Sequence, residues 1–468
     1  MARVFRDNGR VSSPTISSCT ASALLSFTAR NVRSYWEEVT LSLLGTRLSE
    51  PEVVRELAIA GNRSPVSVLP VAGIFGANAS GKSTILRALA DMRMVVLGSF
   101  RQGNQETKLA RHRFLLRSQG AEQPSSFAID LILDGVRWQY GFEIEDHEVL
   151  DEYAYYYPKG KQALVFRRGR DHRAPDFGQA FRSSDRALAG LVRRNALLLS
   201  VAGAATDGAD DERPGIATLI GPLFNWFRTN LGLMESDNRG ARITYTAKRL
   251  KSPQDEAGII ALLQAADLGI TKIEQLPIDP EFAARLERAL RILNGLEEES
   301  KPEQELRFLP DNLVRLHHMG GEGPVPIDPE HESQGTLAWV GMLGPVLDSI
   351  RRGSALMVDE LDGSLHPHLV QRFIQLFQSR ETNPRCAQLI FNAHDPTVLG
   401  DSSQRSLGRD QIWLTEKNAD GGTMLYSMVE FQPKRDEAIG RRYLQGRYGG
   451  VPVLNSAEFD QAVDLTGS

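Results

Sequence analysis

The architecture of this chain follows from one glycine-rich segment, Gly76-Ala77-Asn78-Ala79-Ser80-Gly81-Lys82-Ser83. The segment fits the P-loop pattern, in which a glycine-rich turn ends in Gly-Lys-Ser. Residues 67–75 before it are mostly apolar and predict a strand, and residues 84–90 after it predict the first turns of a helix. A strand, such a turn and a helix in this order predict an anion-binding site, because backbone N–H groups and the helix dipole point at the same place.

The chemistry of this loop predicts contacts with the phosphates of a nucleotide. Lys82 is expected to contact the β and γ phosphates and to assist catalysis, and Ser83 is expected to offer its hydroxyl to Mg²⁺. A chance match in a surface loop is the alternative, and the flanking strand and helix argue against it. The residues predicted to bind the nucleotide in this loop are Gly76, Asn78, Ala79, Ser80, Gly81, Lys82, Ser83 and Thr84.

Two further strand ends carry groups suited to phosphate hydrolysis. Residues 355–358 are apolar and lead into Asp359 and Glu360. Asp359 is predicted to hold the Mg²⁺ shell, and Glu360 to orient or deprotonate the attacking water. A later strand, 388–393, leads into His394, which is predicted to sense the γ-phosphate. The alternatives are an acidic pair that caps the next helix and a histidine with a structural role only.

A fourth polar segment, Glu332-Ser333-Gln334-Gly335-Thr336, stands before an apolar run with helical spacing. Gly335 permits close backbone approach at a helix N-terminus, and Ser333 supplies a hydroxyl donor. The segment therefore predicts a second phosphate-recognition element. An ordinary helix N-cap is the alternative interpretation of the same residues.

The composition is that of an ordinary globular chain in a reducing compartment. The 468 residues are 41% hydrophobic and 24% charged with a net charge of −5, which excludes wholesale disorder and a globally basic nucleic-acid-binding protein. The chain has two cysteines, Cys19 and Cys386, so a disulfide scaffold is excluded and the cytoplasm is the expected location. Its apolar runs are too short to cross a membrane, and we expect no membrane contact.

The order of the predicted elements indicates an α/β fold. Alternating runs around Asp134-Gly135, and around the turn at 158–160, predict two β-hairpins. Helical spacing at 217–233, 255–266 and 280–296 predicts a helical insertion, the small residues of 204–214 predict a mobile loop, and the last third returns to the strand, helix, strand order of parallel sheets. The expected divisions are a flexible leader (1–21), an N-terminal lobe with the P-loop and hairpins (22–190), the helical insertion (191–325) and a C-terminal lobe (326–468).

This chain resembles the ABC-type ATPases in the order of its motifs. That order is the P-loop, the Ser-x-Gly segment, the Asp-Glu pair and the downstream histidine. The resemblance implies an ATPase head with a mixed or parallel sheet that hydrolyses ATP with Mg²⁺. It also implies a homodimer or a higher homo-oligomer. In that class ATP lies between the P-loop of one copy and the signature of the other, here Ser333 and Gly335.

Four segments are similar to the prokaryotic OLD/RloA-like ATPases: NVRSY (31–35), GIFGANASGKST (73–84), DELDGSLHP (359–367) and YLQGRYG (443–449). Such ATPases often belong to anti-phage, or abortive-infection, systems in which a nuclease or other toxic effector is a separate protein. Full-length OLD nucleases add a TOPRIM domain after the ATPase, and too few residues follow the last predicted strands here to form one. The resemblance therefore implies a sensor or regulatory ATPase that controls a separately encoded effector.

Two other functions fit the same motifs. A RecF- or SMC-like ATPase of DNA repair or chromosome maintenance would bind DNA, for which basic clusters at 111–113, 167–170 and 248–251 offer charge, although a solvated surface is the simpler interpretation. No heptad pattern persists long enough for an SMC-like coiled coil. A transporter subunit is disfavoured by the long separation of Ser83 and Ser333.

The tyrosines between 153 and 157 are predicted to pack beside a sheet rather than to stack on bases.

Overall fold

The computed structural model describes residues 22–101, 106–117, 122–170, 175–180, 190–207, 217–235, 238–277, 312–400 and 406–452, with single positions at 281, 285, 455, 458 and 461. The predicted leader (1–21) lies outside these residues, and so does the predicted helix at 280–296 apart from two single positions. Strands and helices are numbered along the chain below.

A six-stranded mixed sheet lies at the centre of the fold. Its order is β11 (Leu231–Met234), β15 (Ala355–Val358), β16 (Gln388–Asn392), β5 (Val71–Gly76), β17 (Ile412–Lys417) and β18 (Thr423–Ser427). The first five strands are parallel, and β18 pairs antiparallel with β17. This arrangement confirms the predicted α/β class with a mixed, mainly parallel sheet.

A seven-stranded antiparallel sheet packs over one face of this centre. Its order is β10 (Asp176–Phe177), β9 (Ala163–Arg168), β8 (Val149–Tyr157), β7 (Val136–Ile144), β6 (Ser125–Leu133), β1 (Ala23–Arg30) and β2 (Val39–Ser42). Both predicted hairpins are confirmed within it. Asp134 and Gly135 turn the first with φ angles of 48° and 75°, as a type I′ turn requires.

The helices and two small sheets complete the described fold. The helices are α1 (Lys82–Gly98), α2 (Leu198–Asp207), α3 (Ala217–Thr229), α4 (Arg239–Arg249), α5 (Pro253–Ala265), α6 (Gln334–Arg352), α7 (Pro367–Gln378) and α8 (Ile439–Leu444). One small sheet pairs β3 (Arg55–Leu57) with β4 (Val66–Val68), and the other joins β12 (Ile270–Pro277), β13 (Asn312–Gly320) and β14 (Gly323–Ile327).

The central strands are buried on both faces, which explains their continuous apolar runs. On β15, Ala355 and Met357 belong to the core that contains α1, α2, α3 and the antiparallel sheet. The alternate residues Leu356 and Val358 belong to a second core with α5, α6 and α7. The period-2 alternation therefore places α1, the helix that follows the P-loop, between the two large sheets.

Gln388 joins the two large sheets through its side chain. It is buried at the start of β16, where its Oε1 accepts a hydrogen bond from the Leu24 N–H at 2.7 Å. Its Nε2 donates to the carbonyls of Leu24 and Leu69 at 2.9 and 3.2 Å. One amide thus bonds to backbone groups of β1 and of the segment before β5.

Three local predictions were wrong. The single strand predicted at 67–75 is divided into β4 and β5 around Pro70, which has no N–H for a sheet. The helix predicted at 217–233 ends at Thr229, and the apolar residues after it form β11, because pairing with β15 decides between helix and strand for so short a run. The first part of the predicted loop at 204–214 belongs to α2, and its remainder lies outside the described residues.

The predicted insertion, 191–325, contains strands as well as helices. β11 lies in the central sheet, while β12, β13 and most of β14 form an antiparallel sheet of their own. The helices of this region are α2 to α5. The boundaries at residues 190 and 325 stay a prediction, since no feature of the strand order marks them.

We expect Gln388→Leu to lower the free energy of unfolding by about 2–4 kcal/mol, because it leaves buried backbone groups of Leu24 unpaired. Urea unfolding followed by circular dichroism measures the change. Gln375→Leu, on the exposed face of α7, is the matched control and should change stability by less than about 0.5 kcal/mol. Equal stability of the two variants would contradict the assigned role of Gln388.

Candidate nucleotide-binding site

The P-loop connects the end of β5 to the start of α1. At two of its glycines the surrounding atoms leave no room for a side chain. Gly81 has a φ of 103°, and a Cβ at this position would lie 2.3 Å from Thr423 Oγ1. A Cβ on Gly76 would lie 2.4 Å from Thr415 Oγ1. Ser80 Oγ and Thr415 Oγ1 are 2.6 Å apart, so hydroxyls of β17 and β18 hold the loop from behind.

Lys82 lies across the loop that it follows. Its Nζ donates to the carbonyls of Gly76 and Ala77 at 2.9 and 3.0 Å, and the residue is buried. Burial lowers the pKa of Lys82, and the negative charges of Asp362, Glu360 and Asp359 oppose that change. The ammonium is therefore held by two loop carbonyls and lies within electrostatic range of three carboxylates.

The remaining loop residues divide into exposed and held groups. Asn78 and Ala79 are exposed at the tip of the turn, and Ala79 has a φ of 61°. Thr84 Oγ1 lies 2.8 Å from Ser34 Oγ, which is also 2.8 Å from Thr423 Oγ1. Ser34 thus connects the first turn of α1 to β18. The motif at residues 31–35 contains this serine, but the sequence alone does not predict the contact.

The two carboxylates at the end of β15 occupy different environments. Asp359 is buried, and its Oδ2 accepts a hydrogen bond from Arg87 at 3.2 Å. Its Oδ1 accepts a hydrogen bond from Asn392, whose Nδ2 also lies 3.2 Å from Ser83 Oγ. Glu360 is exposed, and its backbone has a φ of 56°. The buried carboxylate is therefore fixed, while the other is free to meet a ligand or water.

His394 lies beside Glu360 at the same sheet edge. The distance from His394 Nε2 to Glu360 Oε1 is 3.8 Å. The backbone N–H groups of His394 and Asp395 donate to Asp362 Oδ2 at 2.8 and 2.6 Å, which fixes the loop that carries the histidine. The structure thus brings together the P-loop, the acidic pair and the histidine, as the carboxyl ends of adjacent parallel strands require.

The Ser-x-Gly segment stands apart from this cluster. Ser333 is the N-cap of α6, with its Oγ accepting from the Thr336 N–H at 3.0 Å, and its side chain is exposed. A Cβ on Gly335 would lie 2.5 Å from the Ser364 carbonyl oxygen. Within the described residues, no hydrogen bond joins Ser333 or Gly335 to residues 76–84 of the same chain.

The arginines of the basic clusters have acidic neighbours. Arg111 and Arg113 both pair with Asp146, at 3.1 and 3.8 Å. Arg249 pairs with Asp255 at 3.0 Å. The cluster at 167–170 shows the same pattern, with Arg167, Arg168 and Arg170 paired to Asp151, Glu152 and Glu145. These contacts favour the interpretation as ordinary surface over a free basic patch.

Sequence reasoning missed two residues that touch the acidic pair. Arg87 lies one turn into α1 and bridges Asp359 and Glu235, and Asn392 ends β16 between the two motif strands. In the segment 391–395, the sequence pattern predicts a role for His394 only. The signal for Asn392 was its place at the end of a buried apolar run, where a polar side chain must find partners.

The described residues offer neither a cluster of metal-binding side chains nor a membrane-spanning helix. There, no three or more His, Cys, Asp or Glu side chains form a group that could hold a metal ion. Over the same residues, no helix combines the length and apolarity needed to cross a membrane.

Comparison with known proteins gives one family and several structures. The chain matches the family described as "AAA domain, putative AbiEii toxin, Type IV TA system" over residues 71–400, while no curated protein matches it. Similar solved structures include the Smc head bound to the C-winged helix domain of ScpA, with a TM-score of 0.40, 12% identity, and coverage of 87% of this chain and 99% of that chain. The SMC head domain from Thermotoga maritima has a TM-score of 0.36 and 12% identity over 86% of this chain and 98% of that one. An Smc head with an extended coiled coil, bound to the C-terminal domain of ScpA and derived from Pyrococcus furiosus, has a TM-score of 0.35 and 13% identity, covering 88% and 98%.

The family match confirms the prediction of a P-loop ATPase. Its range, 71–400, begins at β5 and extends past His394, so it includes the P-loop, the Ser-x-Gly segment, the acidic pair and the histidine. The range also covers most of the 468 residues. By that match the chain belongs to this family of AAA-domain proteins and is an ATPase.

Proposed function

We propose that this ATPase closes with a second copy of itself around ATP and thereby controls a separately encoded nuclease or toxin in defence against phage. The observation that carries ATP binding and hydrolysis is the meeting of Lys82, Asp359, Glu360 and His394 at one sheet edge. The exposed position of Ser333, apart from its own P-loop, supports the second copy. The family description names a putative toxin of a type IV toxin–antitoxin system, which supports a role in such a system. The separate effector rests on the resemblance of residues 31–35, 73–84, 359–367 and 443–449 to the OLD/RloA-like ATPases.

The P-loop would bind the phosphates of ATP. Backbone N–H groups of this turn would donate to the phosphate oxygens, and Lys82 would give up its carbonyl partners for the β and γ phosphate oxygens. Ser83 and Asp359 fit Mg²⁺, because both offer hard oxygen atoms and both are held by the same amide nitrogen of Asn392. When bound, Mg²⁺ would neutralise charge on the β and γ phosphates.

Glu360 is the proposed general base. It is the exposed carboxylate beside the P-loop, so it can accept a proton from a water that attacks the γ-phosphate. His394, 3.8 Å from Glu360, would contact the same phosphate and orient the carboxylate. Asp359 is buried and already accepts two hydrogen bonds, which makes it the less suitable base.

A second copy would complete each site. Ser333 is exposed, and within the described residues neither it nor Gly335 bonds to the P-loop of its own chain. These two residues at the N-terminus of α6 are therefore available to phosphates bound by another copy. The proposal is a dimer with two shared sites, and a higher homo-oligomer would need a further contact between dimers.

DNA maintenance is the competing function. It would need a surface that binds phosphate backbone, and the arginines of two basic clusters are engaged with Asp146, Asp151, Glu152 and Glu145. Their pairing lowers the charge available to a nucleic acid. We therefore place control of an effector, in the cytoplasm, ahead of DNA binding, and the experiments below separate the two.

Glu360→Gln should bind ATP normally and hydrolyse it at least about 100-fold more slowly, because the amide cannot accept the proton of the attacking water. Phosphate release and binding of a fluorescent ATP analogue measure the two effects. Lys82→Ala should instead lose affinity for the nucleotide. Glu381→Gln, on the exposed surface after α7, should match the unmodified protein. Normal turnover by Glu360→Gln would move the base elsewhere.

Mixed dimers should test the shared sites. Ser333→Ala should abolish hydrolysis and leave ATP binding by the single chain intact, because the serine acts on the other copy's nucleotide. Mixing it with Lys82→Ala subunits should restore part of the activity, since one site of each mixed dimer is then complete. Exchange is checked with two different tags. No recovery despite proven exchange would contradict the trans arrangement.

Control of an effector predicts a partner that depends on the nucleotide state. Tagged Glu360→Gln, expressed with its neighbouring genes and purified with ATP and Mg²⁺, should bring down a nuclease or toxin-like chain in stoichiometric amount, and Lys82→Ala should not. The activity of that chain should change when ATP is removed. Recovery of DNA alone, released by salt, would favour the maintenance function instead.

A further inference from the structure

Asn392 lies where the two chemically important strand ends meet. It is the last residue of β16, fully buried, and its strand runs between β15 and β5. In register it pairs with Ile74 of β5, while Phe391 before it pairs with Val358 of β15. Its side chain thus reaches the P-loop helix on one side and the acidic pair on the other.

The hydrogen bonds of Asn392 use its whole amide group. Nδ2 donates to Asp359 and lies 3.2 Å from Ser83 Oγ, so its two N–H groups serve the two residues that fit Mg²⁺. Oδ1 accepts from the Glu360 N–H at 2.8 Å. The backbone carbonyl of Asn392 accepts from the Leu361 N–H at 3.0 Å, which ties the following residue to the same strand.

Only an amide satisfies all three side-chain contacts. A carboxylate would offer no donor to Asp359 and would place a second negative charge beside it, and an apolar group would leave the Glu360 N–H unpaired. The Glu360 backbone has a φ of 56°, a conformation that costs about 1–3 kcal/mol for a residue with a side chain. The bond to Asn392 holds the residue in that conformation.

We propose that Asn392 is a positioning residue for hydrolysis, which orients Ser83 and Asp359 toward Mg²⁺ and sets the backbone of Glu360. This inference rests on the proposed roles of those three residues. Asn392 touches no reacting atom itself and acts through its partners. Since Arg87 holds the other oxygen of Asp359, the asparagine and the arginine together leave the carboxylate a single orientation.

The test compares Asn392→Leu with Asn383→Leu. Asn383 is the matched control because it is another fully buried asparagine whose amide makes three hydrogen bonds to backbone, with Phe377 and Ala387, outside the site. Both variants should lose stability in thermal unfolding. Binding of a fluorescent ATP analogue is then measured with EDTA and across a Mg²⁺ titration, together with kcat and KM.

Asn392→Leu should retain nucleotide affinity in EDTA but need about 10- to 100-fold more Mg²⁺ for half-maximal binding. Its kcat should fall at saturating Mg²⁺, because the Glu360 backbone loses its acceptor. Asn383→Leu should leave the Mg²⁺ requirement unchanged. In a Ser83→Ala background, the further change Asn392→Leu should raise the Mg²⁺ requirement by a smaller factor, since one of its two targets is already gone.

Equal Mg²⁺ requirements for the two leucine variants would overturn the proposal. If Asn392→Leu does not fold, Asn392→Ser serves instead, because its single short hydroxyl cannot reach all three partners and should shift the Mg²⁺ requirement in the same direction. Failure of the proposed function would give a different result, because the unmodified protein itself would show no Mg²⁺-dependent binding of ATP. The proposed role of Asn392 would then be wrong as well.

Discussion

The pairing of β15, β16 and β5 as parallel neighbours is the constraint on which the site depends. The three strands end at Val358, Asn392 and Gly76, which are far apart in the chain. Because parallel strands share one carboxyl edge, the residues that follow them meet there. At the opposite end of β16, the Gln388 side chain forms hydrogen bonds with Leu24 of the antiparallel sheet. Both large sheets therefore help to position the site.

Buried charge is the second determinant of the site. Asp359 and Lys82 are both buried, and an unpaired charge in that position would cost several kcal/mol. Arg87 and Asn392 satisfy the aspartate, and two loop carbonyls satisfy the lysine. The polar groups are therefore held in place before any nucleotide binds, which lowers the ordering cost at the moment of binding.

Several features of the fold and site could be predicted from short stretches of sequence. The other features depend on contacts between segments that are distant in the chain. Short sequence patterns correctly predict the P-loop, the hairpin at Asp134-Gly135 and the strand before Asp359. β11 was missed because its four apolar residues fit a helix equally well, and only its pairing with β15 decides. Arg87 and Asn392 both bond to Asp359, which lies far from Arg87 and 33 positions from Asn392 in the chain. The spacing of residues in a sequence motif does not predict such contacts.

The absence of a side chain at Gly335 lets α6 rest directly on the Ser364 carbonyl oxygen, four residues after Glu360. Backbone packed on backbone leaves little room, so a movement of the loop after Glu360 would have to be accommodated by the first turn of α6. In the proposed mechanism, a movement of that loop on cleavage of ATP would be felt at Ser333. A second copy that contacts Ser333 would then respond to hydrolysis in a pocket from which this serine stands apart in its own chain.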